Sequence, residues 1–411
     1  MRPYVHNPRL DLNVVEFKKK EKVINLLKKR FFTYGYQQIQ TPAFEPYDLY
    51  TSVIGTIHQD DMIKVVDRTG RVLVLRPDIT IPITQQVAKR SNKIADQLRY
   101  FYVLDVFRQT FNPFSDYERT QAGVEYFGNN ETDSDAEVIA LAAHILQDLK
   151  VGKFTIEIGH AGFFKDVLEL LSLSQEETEQ FKQLIQAKNI PGLIQFLNQL
   201  NIEPSIQNTI KEIPLLYGPP SEVIERTKQM TLSENMQARI QSLEEIYNLL
   251  KVYQCEKNIV LDLGLINHMD YYSDVIFQGF INSIGKPVLS GGRYDRLADQ
   301  FDASIPAIGF AFDVDLLVEH ESEGNPHNKL DFLIVYEPLK RMEALSIAQV
   351  LRRQSYRVLI QFPHNDVRTE STCILQLNSK ENFLITKNET SNFKDVEELL
   401  EILAFVKGIL E

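Results

Sequence analysis

Apolar residues recur along this chain in two rhythms, and the points where one gives way to the other mark its elements. Over residues 13–34, "NVVEFKKKEKVINLLKKRFFTY", Phe17, Ile24, Leu27 and Phe31 fall on one helical face and lysines cover the other. Gly35 suits the left-handed turn that ends such a helix. "YQQIQTPAFE" reads as a strand leaving it, with Pro42 marking a sheet edge. "DMIKVVDRTGRVLVLRPD" alternates on both sides of "DRTG", which predicts a β-hairpin. "IPITQQVAKRSNKIADQ" predicts a helix. "LRYFYVLDVFRQT" and "RTQAGVEYFG" predict two strands around the polar loop "FNPFSDY". "SDAEVIALAAHILQDL" predicts a helix opening on a capping box of Ser134 and Glu137.

From about 165 to 252 the chain turns Gln-, Glu- and Leu-rich with helical spacing, which predicts an all-helical insertion. Strand character returns in "NIVLDLGL", "YYSDVIFQGFI" and "GKPVLSGGRYDRLADQF", and the run ends in "SIPAIGFAFDVDLL". "EHESEGNPHNK", 319–329, is polar with Gly and Pro and reads as a linker. Beyond it strands alternate with a helix. The expected organisation is therefore a core domain over 1–318 containing the 165–252 insertion, the linker, and a small α/β domain over 330–411.

Composition narrows the function classes. A chain of 411 residues, 44% hydrophobic, has enough apolar surface for two or three domains. Its net charge of −12 argues against a broad nucleic-acid surface. Cys255 and Cys373 stand far apart without a motif and read as small buried apolar side chains, which suits a cytoplasmic protein. The N-terminus lacks the apolar stretch of a signal peptide. No run approaches the roughly twenty apolar residues of a membrane span. The histidines form no HExxH and no Cys–His cluster, so no metal is expected. No cofactor is expected either, since GxxxxGK[ST] is missing and no GxGxxG precedes a helix. "KVVDRTG" has only Asp67 where a phosphoribosyl-pyrophosphate loop needs an acidic pair, and it fits a hairpin turn.

Four short segments carry candidate chemistry. In "LRPDITIP", Asp78 and Thr80 sit two apart. On an extended segment both would face one cavity and suit an ammonium group; alternatively Asp78 caps a helix start. In "ERTQAGVEYFG", Gln121, Gly123 and Glu125 share one strand face. Gln121 could orient an amide or carboxylate, Gly123 would admit a ligand close to the backbone, and Glu125 could take the N–H of an imidazole. The same residues would simply face water on a surface strand. "INHMDYYSDVIFQGF" pairs Tyr271 and Tyr272, either as walls of a small polar pocket or as core aromatics. In "SGGRYDRL", Arg293 is either a ligand contact or an ion-pair partner of Asp295.

Taken together and in order, "TPAFEPYDLY", "LRPDIT", "FR…ERTQAGVEYFG", "MDYYSDVIF", "GGRYDRL" and "PAIGFAFD" resemble histidyl-tRNA synthetase and its non-catalytic relatives over about residues 5–318. The resemblance implies an α+β fold: the class II aminoacyl-tRNA synthetase-like antiparallel sheet flanked by helices, dimeric. It also implies a histidine site. Asp78, Thr80, Gln121, Glu125 and Tyr272 match residues that surround histidine in the synthetase, beside the motif-two arginine Arg108 and the neighbouring Tyr271. Asp78 replaces the usual glutamate and reaches less far.

The adenylation groups depart from the synthetase pattern. Its last motif ends in Glu-Arg, where this chain has Asp315 and Leu316. An arginine three residues before the aspartate of the "DYY" segment is Asn267 here. The acid two residues after Arg108 is Thr110. ATP brings about four negative charges, and losing one preorganised cation costs roughly two to three orders of magnitude in rate. This profile is similar to the regulatory subunits of ATP phosphoribosyltransferase. What that implies is a non-enzymatic subunit that pairs with a short catalytic subunit in a hetero-octamer. The complex performs the first step of L-histidine biosynthesis under histidine feedback. The expected partners are that catalytic subunit, a second copy of this chain and L-histidine, with no tRNA and no membrane. A divergent histidyl-tRNA synthetase and an amino-acid sensor for another partner remain the alternatives.

Overall fold

The computed structural model describes residues 14–51, 53, 57–90, 97–109, 117–200, 202–266, 271–320, 330–362, 371–387 and 389–410. The chain divides into two compact units, Met1–Glu323 and Gly324–Glu411.

The first helix, α1 (Val14–Thr33), buries Val23, Leu27 and Phe31. Phe17, expected on that face, is 64% exposed, because the helix meets the core only from Val23 onward. Gly35 ends it with φ of +79°. The strand expected over "YQQIQTPAFE" is split between two sheets. β1 (Gln37–Gln38) lies parallel to an edge strand, and β2 (Phe44–Pro46) joins a separate small sheet. Pro42 lies in the break, where its missing N–H costs no ladder bond. A short helix, α2 (Tyr47–Thr51), follows. The predicted hairpin forms from β3 (Lys64–Val66) and β4 (Val72–Leu75). Its turn is closed by the Asp67 carboxylate, which accepts from the Thr69 and Arg71 backbones. α3 (Thr80–Ala88) stops well before Gln97; residues 91–96 of that predicted helix lie outside the described ones.

β5 (Leu98–Phe107) and β6 (Glu118–Phe127) are the long central strands. α4 (Thr132–Asp148) follows and is buried along most of its length. The expected capping box is not made there. The helix begins two residues earlier, the buried Ser134 hydroxyl bonds Glu131 O and receives Arg293, and Glu137 pairs with Arg99. Tertiary partners of both side chains have displaced the local cap.

β7 (Phe154–His160) leads into the helices α5 (Ala161–Leu171), α6 (Gln175–Gln186), α7 (Ile190–Leu197) and α8 (Pro204–Glu212). After the two-residue β8 (Tyr217–Gly218) come α9 (Pro220–Thr227) and α10 (Glu234–Val252), which returns against α4 and α5. β9 (Ile259–Asp262), β10 (Val275–Ile281), β11 (Pro287–Arg293) and β12 (Ala307–Asp313) complete the sheet, and α11 (Val314–His320) packs beside α1.

The sheet has nine strands in the order β1-β5-β6-β12-β11-β10-β7-β9-β8. It is antiparallel except where β1 meets β5 and β7 meets β9. Period-two alternation decides its two faces. Phe101, Ala122, Val124, Tyr126, Phe277, Ile308 and Phe312 meet α1 and α4 on one side. Tyr102, Tyr272, Ile276 and Tyr294 lie on the other with Ile79, Ile81 and Ile83 from the start of α3. The second face holds the site.

The C-terminal unit is a five-stranded mixed sheet in the order β14-β13-β15-β16-β17. It comprises β13 (Leu330–Tyr336), α12 (Arg341–Arg353), β14 (Val358–Gln361), β15 (Ser371–Leu377), β16 (Asn382–Ile385), β17 (Thr390–Phe393) and α13 (Val396–Leu410). β13 lies between β14 and β15 and is parallel to both.

Candidate functional site

Asp78, Thr80, Arg108, Gln121, Glu125, Tyr271 and Tyr272 all line one cavity of about 400 Å³ on the second sheet face. The sheet supplies its floor. Gln121 and Glu125 project from β6, Gly309, Ala311 and Asp313 from β12, and Ser290 and Gln278 from β11 and β10. Asp78 and Thr80 do not sit on extended chain. Thr80 is the first residue of α3 and Asp78 lies two residues before it, where its Oδ1 accepts the Ile81 N–H at 2.9 Å. The capping and cavity-facing alternatives for Asp78 therefore coexist in one side chain.

Glu125 is the best-defined group. It is 1% exposed, takes the Thr80 hydroxyl at 2.6 Å on Oε1 and receives Tyr294 OH on Oε2. No cation is bonded to it among the described residues. Burial pushes its pKa up to about 8, against the pull of the two hydroxyls and with a small push from the Asp78 charge. Burial likewise raises Asp78, while the Ile81 N–H and the Arg108 charge oppose the shift. Arg108 donates Nε to Pro77 O at 2.8 Å, which leaves its other nitrogens for a ligand. Asp313 is paired with Arg119 at 2.6 Å. The cavity thus holds a half-satisfied carboxyl near α3, a protonatable carboxyl on the floor, and a guanidinium. That set suits a small molecule bearing an ammonium, a carboxylate and a weakly basic ring.

Close packing fixes this geometry. Gly309 lies opposite Glu125 in the β12–β6 ladder, and a Cβ there would collide with Glu125 Oε2 and Val124 O. A Cβ on Gly292 would reach within 2.8 Å of the Tyr272 ring. Lys165 of α5 donates to Tyr272 O at 2.7 Å, so the helical segment also holds this tyrosine. Tyr271 packs on Tyr272 at 4.7 Å between centroids and edge-on to Tyr294 at 5.8 Å.

Tyr102 and Tyr294 line the cavity and were missed in the sequence reading. Tyr102 lies across from Gly123, and its ring fills the space that the glycine leaves. Strand pairing decides that, and no local motif announces it. Alternation in "GGRYDRL" sets Tyr294 on the face opposite Arg293, toward the cavity. Arg293 faces away from the ligand space. It is 2% exposed and bonded to Asp135 at 2.7 Å, to Asp295, to Ser134 and to Asn129 O.

The end of the last motif is structural here. Asp315 bonds Lys20 at 2.8 Å and the Thr120 N–H at 2.8 Å, while Leu316 is buried in the core. Asn267 and Thr110 lie outside the described residues. Cys255 and Cys373 are buried and neither is in a disulfide. Among the described residues no cluster of three His, Cys, Asp or Glu could hold a metal, and no helix is long and apolar enough to cross a membrane.

Comparison with known proteins places this architecture. The histidyl-tRNA synthetase family model matches residues 10–317. An ATP phosphoribosyltransferase regulatory subunit from Oceanobacillus iheyensis is 45% identical over 388 residues, spanning 94% of this chain and 95% of that protein. One from Acetivibrio thermocellus is 34% identical, spanning 85% of this chain and 84% of that one. A crystal structure from Bacillus halodurans, described as an ATP phosphoribosyltransferase regulatory subunit/histidyl-tRNA synthetase, superposes with a TM-score of 0.79 at 28% identity. It covers 89% of this chain and 95% of that one. A sheet of this order, a cavity on its free face and relatives of this similarity along nearly the whole length lead to one family: the chain belongs to the ATP phosphoribosyltransferase regulatory subunits, built on the histidyl-tRNA synthetase fold.

Proposed function

We propose that this chain is the non-catalytic regulatory subunit of an ATP phosphoribosyltransferase and that its cavity binds L-histidine as the feedback signal. The observation that carries the ligand assignment is the charge pattern of the cavity. Asp78, Glu125 and Asp313, the last paired with Arg119 outside the lining, face it against one arginine, Arg108. A triphosphate would meet three carboxyl groups there. An amino acid with an imidazole would meet a partner for each of its polar groups: Asp78 and Thr80 for the ammonium, Arg108 and Gln121 for the carboxylate, Glu125 and Tyr272 for the ring.

In this reading the phosphoribosyl transfer belongs to a short catalytic subunit, which condenses ATP with phosphoribosyl pyrophosphate at the first step of histidine biosynthesis. The two subunits form a cytoplasmic hetero-octamer containing dimers of this chain, and neither tRNA nor adenylation is involved. Feedback is linkage: histidine shifts the complex toward a low-activity arrangement by as much as its affinity for the two arrangements differs, typically about 1–3 kcal/mol. The test is co-expression with a short catalytic subunit. The two should co-purify, transferase activity should require this chain, and histidine should inhibit. Unaltered inhibition in Glu125→Ala would remove the cavity from the account. Histidine-dependent ATP–pyrophosphate exchange by the chain alone would reject the regulatory reading in favour of a synthetase.

A further inference from the structure

Behind Asp78, outside the cavity lining, lies a buried pair that the ligand account leaves unused. Tyr50 Oη is hydrogen-bonded to Glu45 Oε2 and lies 3.2 Å from the main-chain oxygen of Asp78. Tyr50 is 2% exposed and Glu45 3%. A phenol carries one proton. Were Glu45 ionised, both neighbours of that hydroxyl would be acceptors, and one contact would go unmade. With a proton on Glu45 the chain closes: the acid donates to Tyr50, and Tyr50 donates to Asp78 O. A second observation agrees. Glu45 Oε1 is buried without a hydrogen-bond partner among the described residues. The carbonyl oxygen of a neutral acid tolerates this far better than half of an ionised carboxylate does.

The charged and titratable groups around Glu45 come from three neighbouring segments. Tyr50 belongs to α2, Arg76 follows β4, the strand paired with Glu45's own, and Asp78 leads α3. Arg76 could hold Glu45 ionised, but its N–H groups go to the main-chain oxygens of Thr41, Pro42 and Asp105. Burial raises the Glu45 pKa to about 7, against Tyr50 and Arg76 and with the Asp78 charge.

We infer that Glu45 is a positioning residue acting through Tyr50: as a neutral acid it directs the Tyr50 hydroxyl onto the Asp78 main chain, and so holds the Asp78 carboxylate toward the ammonium group of the ligand. The inference rests on the histidine reading of the cavity. Asp78 is a shorter acid than the resemblance leads one to expect, so its placement depends on how its backbone is held.

The test uses the full chain, L-histidine and calorimetry from pH 6 to 8.5. Glu45→Gln keeps a donor toward Tyr50 and cannot ionise. It should bind like the unmodified chain near pH 6 and about fivefold more tightly near pH 8.5, where Glu45 has lost its proton. Glu45→Ala and Tyr50→Phe should each weaken binding about five- to tenfold at pH 6, and Glu45→Gln should add nothing to Tyr50→Phe. Equal affinities for all variants across the range would overturn the inference, as would Glu45→Gln weakening binding as much as Glu45→Ala. An infrared difference between the unmodified chain and Glu45→Gln, taken without ligand at pH 6, must show the carbonyl band of a protonated carboxyl. Its absence removes this inference alone, whereas a chain that binds no histidine removes the reading beneath it.

Discussion

Gly309 on β12 faces Glu125 on β6 directly across the sheet, and the glutamate carboxylate occupies the space a side chain at 309 would need. Glu125 can lie flat on the floor, within reach of both Thr80 and Tyr294, because nothing projects opposite it. Gly309→Ala should push the carboxylate off both hydroxyls. We expect histidine affinity to fall at least tenfold and stability by about 1–3 kcal/mol, the usual cost of overpacking. Circular dichroism should stay unchanged. Calorimetry and denaturant unfolding on one preparation separate the two effects.

The pH dependence of binding follows from counting protons. Free imidazole titrates near 6.5, and Glu125 in the empty cavity near about 8. In the complex the ring and the carboxyl share one proton. Below about 6.5 the free partners hold two and binding must release one; above about 8 they hold none and binding must take one up. Affinity should therefore peak between these values and fall on both sides. Glu125→Gln should bind more weakly at the peak, keep the acid limb, and retain of the alkaline limb only the shallower fall that Glu45 imposes. A flat profile in the unmodified chain would separate Glu125 from the ring.

The same shift affects folding. Glu125 and Glu45, raised to about 8 and about 7, bind protons in the folded chain that an unfolded chain would already have released. Between about pH 4.5 and 8 the folded state is thus the more protonated one, and these two groups make stability decline as pH rises. Glu125→Gln should flatten the decline up to about 8 and Glu45→Gln up to about 7. Urea midpoints taken at intervals across this range would check both.

How much of this was legible in the sequence depends on the range of the interaction. Alternation in "ERTQAGVEYFG" correctly put Gln121 and Glu125 on one face, because strand period is a local property. The hairpin at "DRTG" was visible for the same reason: Asp67 closes its own turn. Tyr102 and Tyr294 were not found, since what brings them to the cavity is register with Gly123 and the path of the chain after β11. The Ser134–Glu137 box failed because Arg293 and Arg99, distant in sequence, compete for both side chains. Nothing local in "TPAFEPYDLY" marks Glu45 as buried, because its burial comes from α2 and the small sheet folding over it.

Arg293 shows how such a distant partner governs stability. Its guanidinium and Asp135 are both buried, and Ser134, Asn129 O and Asp295 complete the cluster. Burial raises Asp135 to about 7 even beside Arg293, so Arg293→Met would leave a buried acid that must take up a proton and has lost its partner, at a cost of about 3–5 kcal/mol. Adding Asp135→Leu removes the stranded acid and should restore most of that loss. Denaturant unfolding of the two single variants and the double variant measures the coupling. A double variant no more stable than Arg293→Met would mean that packing against Asn129 and Ser134, rather than the ion pair, sets the cost.

Arg108 offers a test of how the ligand lies. Its Nε is held by Pro77 O, which fixes the plane of the guanidinium while its remaining N–H groups face the cavity. If they bind the carboxylate of histidine, that contact is a charge-assisted one of about 1.5–3 kcal/mol. Arg108→Gln should then weaken L-histidine roughly 10- to 100-fold. The corresponding amino alcohol, which has the ring and the ammonium but no carboxylate, should lose little. The unmodified chain should prefer histidine over the alcohol, and Arg108→Gln should erase that preference. Equal losses for both ligands would mean that Arg108 acts through Asp78, whose burial-raised pKa its charge pulls back down, rather than on the ligand itself.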